Sequence, residues 1–506
     1  MRGELTASGW QTARKSKHRH AVATKLMRML WGVLLGGVVA VPVAGQDEPA
    51  MLDAAAVLES RLVEAIATAE KSVVAIARVR KEQRRLLLDQ GLPGAPPAPT
   101  DPQFIPQEYG TGVIIDPEGY ILTAYHVLGN PEENDYYVWL NRAGYKAIPV
   151  QSTMAGDPWL DLAVLKIDAK DLPPIRFGDA DTLKKGQIVI ALGNPLAIAR
   201  DGQASASWGI VSNLNRKAAP YPAQGSDPGQ GRETLHHFGT LIQTDARLNF
   251  GTSGGALINL KGEMVGLLVS LSAGPLYDSA AGFAIPVDAH FKRTVETLKA
   301  GRRPEYGFLG VMPSSLSPQE RVQGLRGARI QDVVPGTPAD RANLRPGDLV
   351  LAVNQAPVYD EFDLIRYISS YPPEATVHIT VRRGNQEWNA PVKLAKKALP
   401  GRRVAYASQP DPTWRGLAVD YVTALPNYYQ QLRWRGRQEA VGVRDVVQGS
   451  PAWQAGLRPG DLITAVEGKP IGSPRAFWEA VEPRDGTVQL RVISGGREAT
   501  RSVPAP

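Results

Sequence analysis

Apolar positions recur along this chain at two different periods. Between Met51 and Ile66, Leu52, Leu58, Leu62 and Ile66 return near helical spacing with Asp53, Glu59 and Arg61 between them, which predicts an amphipathic helix. After that the apolar runs shorten. Ser72–Val79 is β-branched, and Gly112–Ile115 and Tyr120–Thr123 flank the turn Asp116-Pro117-Glu118-Gly119. Further short runs follow at Tyr136–Leu140, Ala147–Val150, Leu162–Ile167, Ile188–Leu192 and Ser207–Val211, then Ala256–Leu260 and Met264–Val269 around Lys261-Gly262-Glu263. Short strands punctuated by turn residues predict barrels or sandwiches rather than βαβ units. One helix is expected at Val287–Leu298. Two polar interruptions stand out: Gly91–Pro99, read as a surface loop, and the long stretch Asn215–Gly239. Loops of that length are usually functional or disordered. His236 and His237, near its end, have no third histidine or carboxylate cluster beside them and are expected to be solvated.

The second half repeats itself. Val333-Val334-Pro335-Gly336-Thr337-Pro338-Ala339 with Leu344-Arg345-Pro346-Gly347-Asp348-Leu349 returns as Val446-Val447-Gln448-Gly449-Ser450-Pro451-Ala452 with Leu457-Arg458-Pro459-Gly460-Asp461-Leu462. In each copy a strand, a short helix (Tyr359–Ser369; Pro474–Val481) and a strand pair follow. Two copies make tandem modules, not a solenoid.

Charge alters the picture only at the start. Seven basic residues against Glu4 give the first 28 residues +6 of the chain's formal +7. The body is near neutral and carries no nucleic-acid footprint. The basic start, the apolar run Met29–Val41 and the small residues Ala44 and Gly45 before Asp47 fit a secretory signal. The alternative is an uncleaved membrane anchor, for which the run is short. With no cysteine in 506 residues, disulfides, a thiol nucleophile, thiolate metal sites and lipoprotein anchoring are excluded.

The chemistry converges on Thr244–Leu257, where Ser253 stands among Gly251, Gly254 and Gly255. Glycines there let backbone N–H groups be aimed at a developing oxyanion. His126, in Leu122-Thr123-Ala124-Tyr125-His126-Val127, and Asp161, in Trp159-Leu160-Asp161-Leu162-Ala163-Val164, complete the order His, Asp, Ser, one of the orders in which a serine-protease triad occurs. Gly251-x-Ser253-x-Gly255 also fits the nucleophile elbow of α/β-hydrolases. That elbow needs a helix directly after the serine and a histidine after the acid; a strand pattern follows instead. A serine hydroxyl needs a base within hydrogen-bond reach; His126 can serve, with Asp161 fixing its tautomer.

These residues, with Gly110-Thr111-Gly112, Ala191-Leu192-Gly193-Asn194-Pro195, Gln243-Thr244-Asp245 and Gly282-Phe283-Ala284-Ile285-Pro286, resemble the HtrA/Deg family of serine proteases. The resemblance runs from about Gln107 to Val503. It implies a mainly β chain with a trypsin-like double β-barrel domain (46–300, after a leader at 1–45). Two PDZ domains (304–398 and 413–503) would follow, separated by a linker (399–412). It implies catalytic His126, Asp161 and Ser253, an oxyanion hole from the Gly251 and Ser253 amides, and an S1 pocket lined by Leu248 that suits small or medium aliphatic residues. It implies a carboxylate-binding loop in the first PDZ domain at Gly307, Phe308, Leu309 and Gly310. In the second it implies a weaker one at Gly416, Leu417 and Ala418, with Ala418 in the place of a glycine. Arg216 falls where the family's sensor loop begins. Thr252 stands where Asn is usual and contributes only backbone, whereas Phe250 bears on how the oxyanion loop settles. No metal or organic cofactor is indicated. The expected partners are unfolded exported proteins, C-terminal or extended peptides, and further copies in a homotrimer or larger assembly. The expected place is the periplasm, with association to the inner membrane if the leader persists. A holdase or PDZ scaffold with little proteolysis is the alternative from another class.

Overall fold

In a computed structural model of the chain, the described residues are 48–82, 106, 108–140, 147–149, 155–194, 203–218, 234–269, 282–399, 405–425, 428 and 439–505. The leader and the Pro-rich stretch 91–99 fall outside them, as does most of 215–239. Among the described residues no helix is long and apolar enough to cross a membrane.

The helical period at the start becomes the helix Glu48–Ala69. Its Leu62, Ala65, Ile66 and Ala69 pack on the protein core. Seven strands follow: β1 (Val73–Arg80), β2 (Glu108–Asp116), β3 (Tyr120–Ala124), β4 (Asn134–Trp139), β5 (Ala147–Pro149), β6 (Ala155–Asp157) and β7 (Leu162–Lys166). They form one sheet in the order β5-β4-β1-β2-β3-β7-β6. Gly119, at φ 92°, makes the β2–β3 turn. Six more close into a barrel, β10-β13-β12-β11-β8-β9: β8 (Ile188–Gly193), β9 (Ser205–Arg216), β10 (Leu241–Thr244), β11 (Ala256–Ile258), β12 (Met264–Val269) and β13 (Gly282–Pro286).

One core spans both sheets. Leu122, Leu162 and Val164 of the first meet Ile190, Leu192, Ile258 and Leu267 of the second, and Phe291, Val295 and Leu298 close it. These last three lie on one face of the helix Ala289–Lys299, whose N-terminus Asp288 caps by accepting from the Phe291 amide at 2.7 Å. That capping bond satisfies an amide with no intrahelical partner. This shared core holds the two sheets together, and the active-site loops meet along the seam between them.

The two repeats fold alike. The first carries β14 (Gly307–Phe308), β15 (Val311–Ser314), β16 (Ala328–Val333), β17 (Leu349–Val353), β18 (Ala356–Pro357), β19 (Thr376–Arg383), β20 (Gln386–Lys393) and β21 (Ala395–Lys396). The second carries β22 (Leu417–Tyr421), β23 (Val441–Val446), β24 (Leu462–Val466), β25 (Lys469–Pro470), β26 (Val488–Ser494) and β27 (Arg497–Val503). Each buries one face of a short helix, Leu364 and Ile368 in the first and Phe477 and Val481 in the second.

Candidate active site

The strand β3 runs into a four-residue helix, Tyr125–Leu128, and delivers His126 to the seam. Nδ1 of His126 lies 2.7 Å from Oδ2 of Asp161, and the His126 amide donates to Oδ1 at 2.9 Å. A carboxylate can only accept from that nitrogen, so Nδ1 carries the proton and Nε2 is the basic nitrogen. The Tyr125 amide donates to the Asp161 carbonyl at 3.0 Å. Asp161 sits at φ 56°, a conformation that persists in a non-glycine residue only where its surroundings over-determine it. Burial alone would raise its pKa; the charge and hydrogen bonds of His126 outweigh that and hold it below 3.8.

The serine loop is built on the other sheet. Gly251 and Gly254 have φ of 96° and 85°, and the turn closes through Thr252 N–H to the Asn249 carbonyl at 3.2 Å and Gly255 N–H to the Thr252 carbonyl at 2.9 Å. Thr111 of β2 stitches it to the first sheet. Its hydroxyl donates to the Gly251 carbonyl at 2.7 Å and accepts from the Asn194 amide at 2.8 Å, while its own amide donates to the Ser253 carbonyl at 2.9 Å. Gly110 brings the two halves together: a Cβ there would touch Val127, next to His126, and lie 3.4 Å from the Ser253 carbonyl. Ser253 is buried.

Thr252 does more than supply backbone, since its hydroxyl donates to the Asn249 carbonyl at 2.7 Å. Phe250 is 67% exposed and meets Tyr109 edge to face at 5.7 Å. Leu248 packs toward Gly282 of β13. Arg216 ends β9 with its side chain exposed.

Three groups that the sequence pattern did not mark grip the turn before Asp161. Asp157 accepts from the Trp159 and Leu160 amides at 3.2 and 2.9 Å and from the Tyr306 hydroxyl. Its complete burial nonetheless lifts its pKa to about 6. His236 and His237 are buried, not solvated as expected. They form a 3₁₀ turn, Leu235–Phe238, folded over Trp159, with the Leu235 amide donating to the Trp159 carbonyl at 2.8 Å. Nε2–H of His236 donates to the Leu160 carbonyl at 3.1 Å, and Nδ1 accepts from the Thr240 hydroxyl at 2.7 Å. Desolvation depresses this imidazole to about 4, so it stays neutral. The third group is Tyr306, at the root of the first PDZ loop, which is buried in the protease core.

The first PDZ loop follows directly. β14 pairs with β21, Gly310 has φ 92°, and a Cβ on it would strike Thr337. A small groove is lined by Gly307, Phe308, Leu309, Gly310, Leu364, Ile368 and Lys397, and the Phe308 ring meets Tyr428 edge-on at 5.7 Å. The second loop has a different register from the expected one. Val447 N–H donates to the Gly416 carbonyl as Val334 N–H does to Gly310, and β22 pairs Leu417 with Val446 as β15 pairs Val311 with Val333. Gly416, at φ 80°, therefore occupies the glycine position, and Ala418 lies two residues beyond it. Arg415 takes the place of Leu309.

Known proteins place this arrangement among trypsin-like serine proteases with PDZ domains. A trypsin-like peptidase domain matches residues 110–267, and PDZ domains match 307–394 and 442–493. A probable periplasmic serine endoprotease, DegP-like, from Chlamydia muridarum is 32% identical over 393 residues, 76% of this chain and 72% of its own length. One of the same description from Ectopseudomonas mendocina is 29% identical and covers 82% of this chain and 83% of its own. A solved HtrA-type protease, AlgW with a tripeptide, covers 67% of this chain and 98% of its own at 27% identity, with a TM-score of 0.48. The chain belongs to the DegP-like serine endoproteases.

Proposed function

We propose that His126, Asp161 and Ser253 are the catalytic triad of an endopeptidase that cuts unfolded proteins exported to the periplasm. The observation that carries this reading is the two-point hold of Asp161 on His126, through Nδ1 and through the amide, facing the serine loop across Gly110. His126 Nε2 takes the Ser253 proton as Oγ attacks the scissile carbonyl, and later returns it to the leaving amine. Asp161 stabilises the imidazolium formed in between. The amides of Gly251 and Ser253 receive the oxyanion, a term of about 3 kcal/mol per donor. Leu248 walls an S1 pocket for small or medium aliphatic residues; β12 is paired on both sides, with β11 and β13, and has no edge to offer an extended substrate. The loop Gly307–Gly310 binds C-terminal peptide segments, with domain limits near 300, 399 and 412. The working assembly is a homotrimer or larger.

Fluorophosphonate labelling tests the reading. Labelling that disappears in Ser253→Ala, rises when unfolded casein is added and is matched by loss of casein cleavage in His126→Ala supports it. Absence of labelling with and without casein overturns it.

A further inference from the structure

We propose that Tyr406, between the two PDZ domains, is a positioning residue for the acid–base pair of the protease. Its backbone forms an antiparallel bridge with Gly156: Gly156 N–H donates to the Tyr406 carbonyl at 2.9 Å and Tyr406 N–H to the Gly156 carbonyl at 3.2 Å. Gly156 lies in β6, the edge strand of the first sheet. An edge strand presents unpaired amides and carbonyls, and here the segment after the first PDZ domain covers them. The bridge leaves no room for a side chain at 156, because a Cβ there would strike the hydroxyl end of the Tyr406 ring.

The ring continues inward. It packs on the first sheet's second core cluster, with Tyr125, Leu128 and Tyr136, and stacks on Tyr125 at 5.4 Å with the planes 29° apart. Tyr125 immediately precedes His126, and its amide holds the Asp161 carbonyl. The bridged strand β6 pairs with β7 through Asp157 and Leu162, the residues that bracket the strained turn of Asp161. Tyr406 therefore bears on both members of the pair, from one side through Tyr125 and from the other through β6. No local pattern in the protease sequence supplies such a wedge. Its hydroxyl is buried without a partner among the described residues, so the ring, not the hydroxyl, carries the role. Removing a buried polar group that lacks a partner costs nothing, which makes phenylalanine the conservative variant.

The inference rests on the triad reading, and separate variants test the two. In the full chain, at a temperature where each variant is folded by near-ultraviolet circular dichroism, kcat and KM on casein and the pH profile of kcat/KM are measured. Tyr406→Ala is expected to lower kcat about tenfold with KM within twofold, and to shift the acid limb of the profile as the Asp161–His126 geometry loosens. Tyr406→Phe should stay within twofold of wild type with an unmoved profile. Gly156→Ala, which pushes the ring out while keeping the tyrosine, should reproduce Tyr406→Ala, and the double variant should be no slower than either single. Should Tyr406→Ala fail to fold, Gly156→Ala decides on its own. Wild-type kcat and profile in a folded Tyr406→Ala or Gly156→Ala, or additive losses in the double variant, would overturn the proposal. Loss of labelling in Ser253→Ala is independent of all these outcomes and judges only the triad.

Discussion

The two PDZ domains share a core and diverge at the loop. In the first, Gly307 and Phe308 pair with Lys396 and Ala395, and the following backbone borders a groove. In the second, Trp414 N–H donates to the Leu417 carbonyl at 2.9 Å and Leu417 N–H to the Trp414 carbonyl at 2.8 Å. Arg415 and Gly416 form the tight turn between them, both at positive φ. The Arg415 guanidinium reaches the carbonyls of Val503, Pro504 and Arg484 at 2.8 to 3.0 Å. The Trp414 and Leu417 amides close the turn, and the arginine secures the last strand. A repeated fold keeps its core positions because packing demands them, whereas its loop is free to take up other work.

Acidification should separate the second PDZ domain from the protease side most strongly. His236 and His290, both on the protease side, are buried and desolvated, with pKa values of about 4 and about 3 against an ordinary 6.5. Unfolding takes up their protons, so the stability they allow is full above pH 6.5 and drains as pH falls toward 4 and 3. Asp157, at about 6, works in the opposite direction: stability falls as pH rises from 3.8 to 6. Asp288, raised by its burial, sides with Asp157. Asp161, held low by His126, and Glu108 and Asp116, held low by Arg78 and Lys299, lose their stabilisation in acid with the two histidines. Acid should unfold the protease side first. The second PDZ domain contains no histidine and loses nothing by this route. Hydrogen exchange followed from pH 7 to pH 4 would show the order; protection lost first in β22–β27 would contradict it.

Tyr306→Ala should cost about 4 kcal/mol, the loss typical of a buried aromatic, and should remove a donor from Asp157 as well. Trp414→Ala, in the second domain, should cost about 3 kcal/mol yet leave casein cleavage intact. Urea denaturation paired with activity assays compares them, and equal losses of activity would erase the distinction.

Gly310→Ala and Gly416→Ala should each destabilise their own domain by about 2 kcal/mol, because a side chain at positive φ is strained and its Cβ meets Thr337 or Ser450. Only the first should abolish anisotropy binding of a labelled C-terminal peptide. Arg415→Leu has the smallest effect: about 1 kcal/mol from lost hydrogen bonds, read as a lower Tm with peptide binding unchanged.

Much of this was legible in the residues. Glycines at 119, 251 and 254 announced turns, and the strands alternating with them followed from short apolar runs. The order of His126, Asp161 and Ser253, with a strand pattern after the serine, was enough to nominate the site. What was hidden acts across distance. Tyr306 meets Asp157 over 149 positions, and no local pattern ties Tyr406 to Tyr125. The burial of His236 is produced by Trp159 beneath it, so polarity along 215–239 misleads. The slip from Gly416 to Ala418 arose because the second loop closes as a tight turn, where spacing counted from Trp414 no longer tracks the ladder.

The burial of Tyr306 also bears on where this polypeptide can be divided. A cut ahead of the first PDZ domain, near residue 303, would leave a ring-sized void beside Trp159 and strand the Asp157 carboxyl without its phenol. A cut near 398 would expose the edge at Gly156. The first position that severs neither lies past Tyr406, and sparing the ion pair of Asp411 with Arg303, at 3.6 Å, moves it past Asp411. As a heritable unit, then, the peptidase is about a hundred residues longer than its two sheets, and a recombination event that traded its first PDZ domain for another would have to bring a matching tyrosine with it.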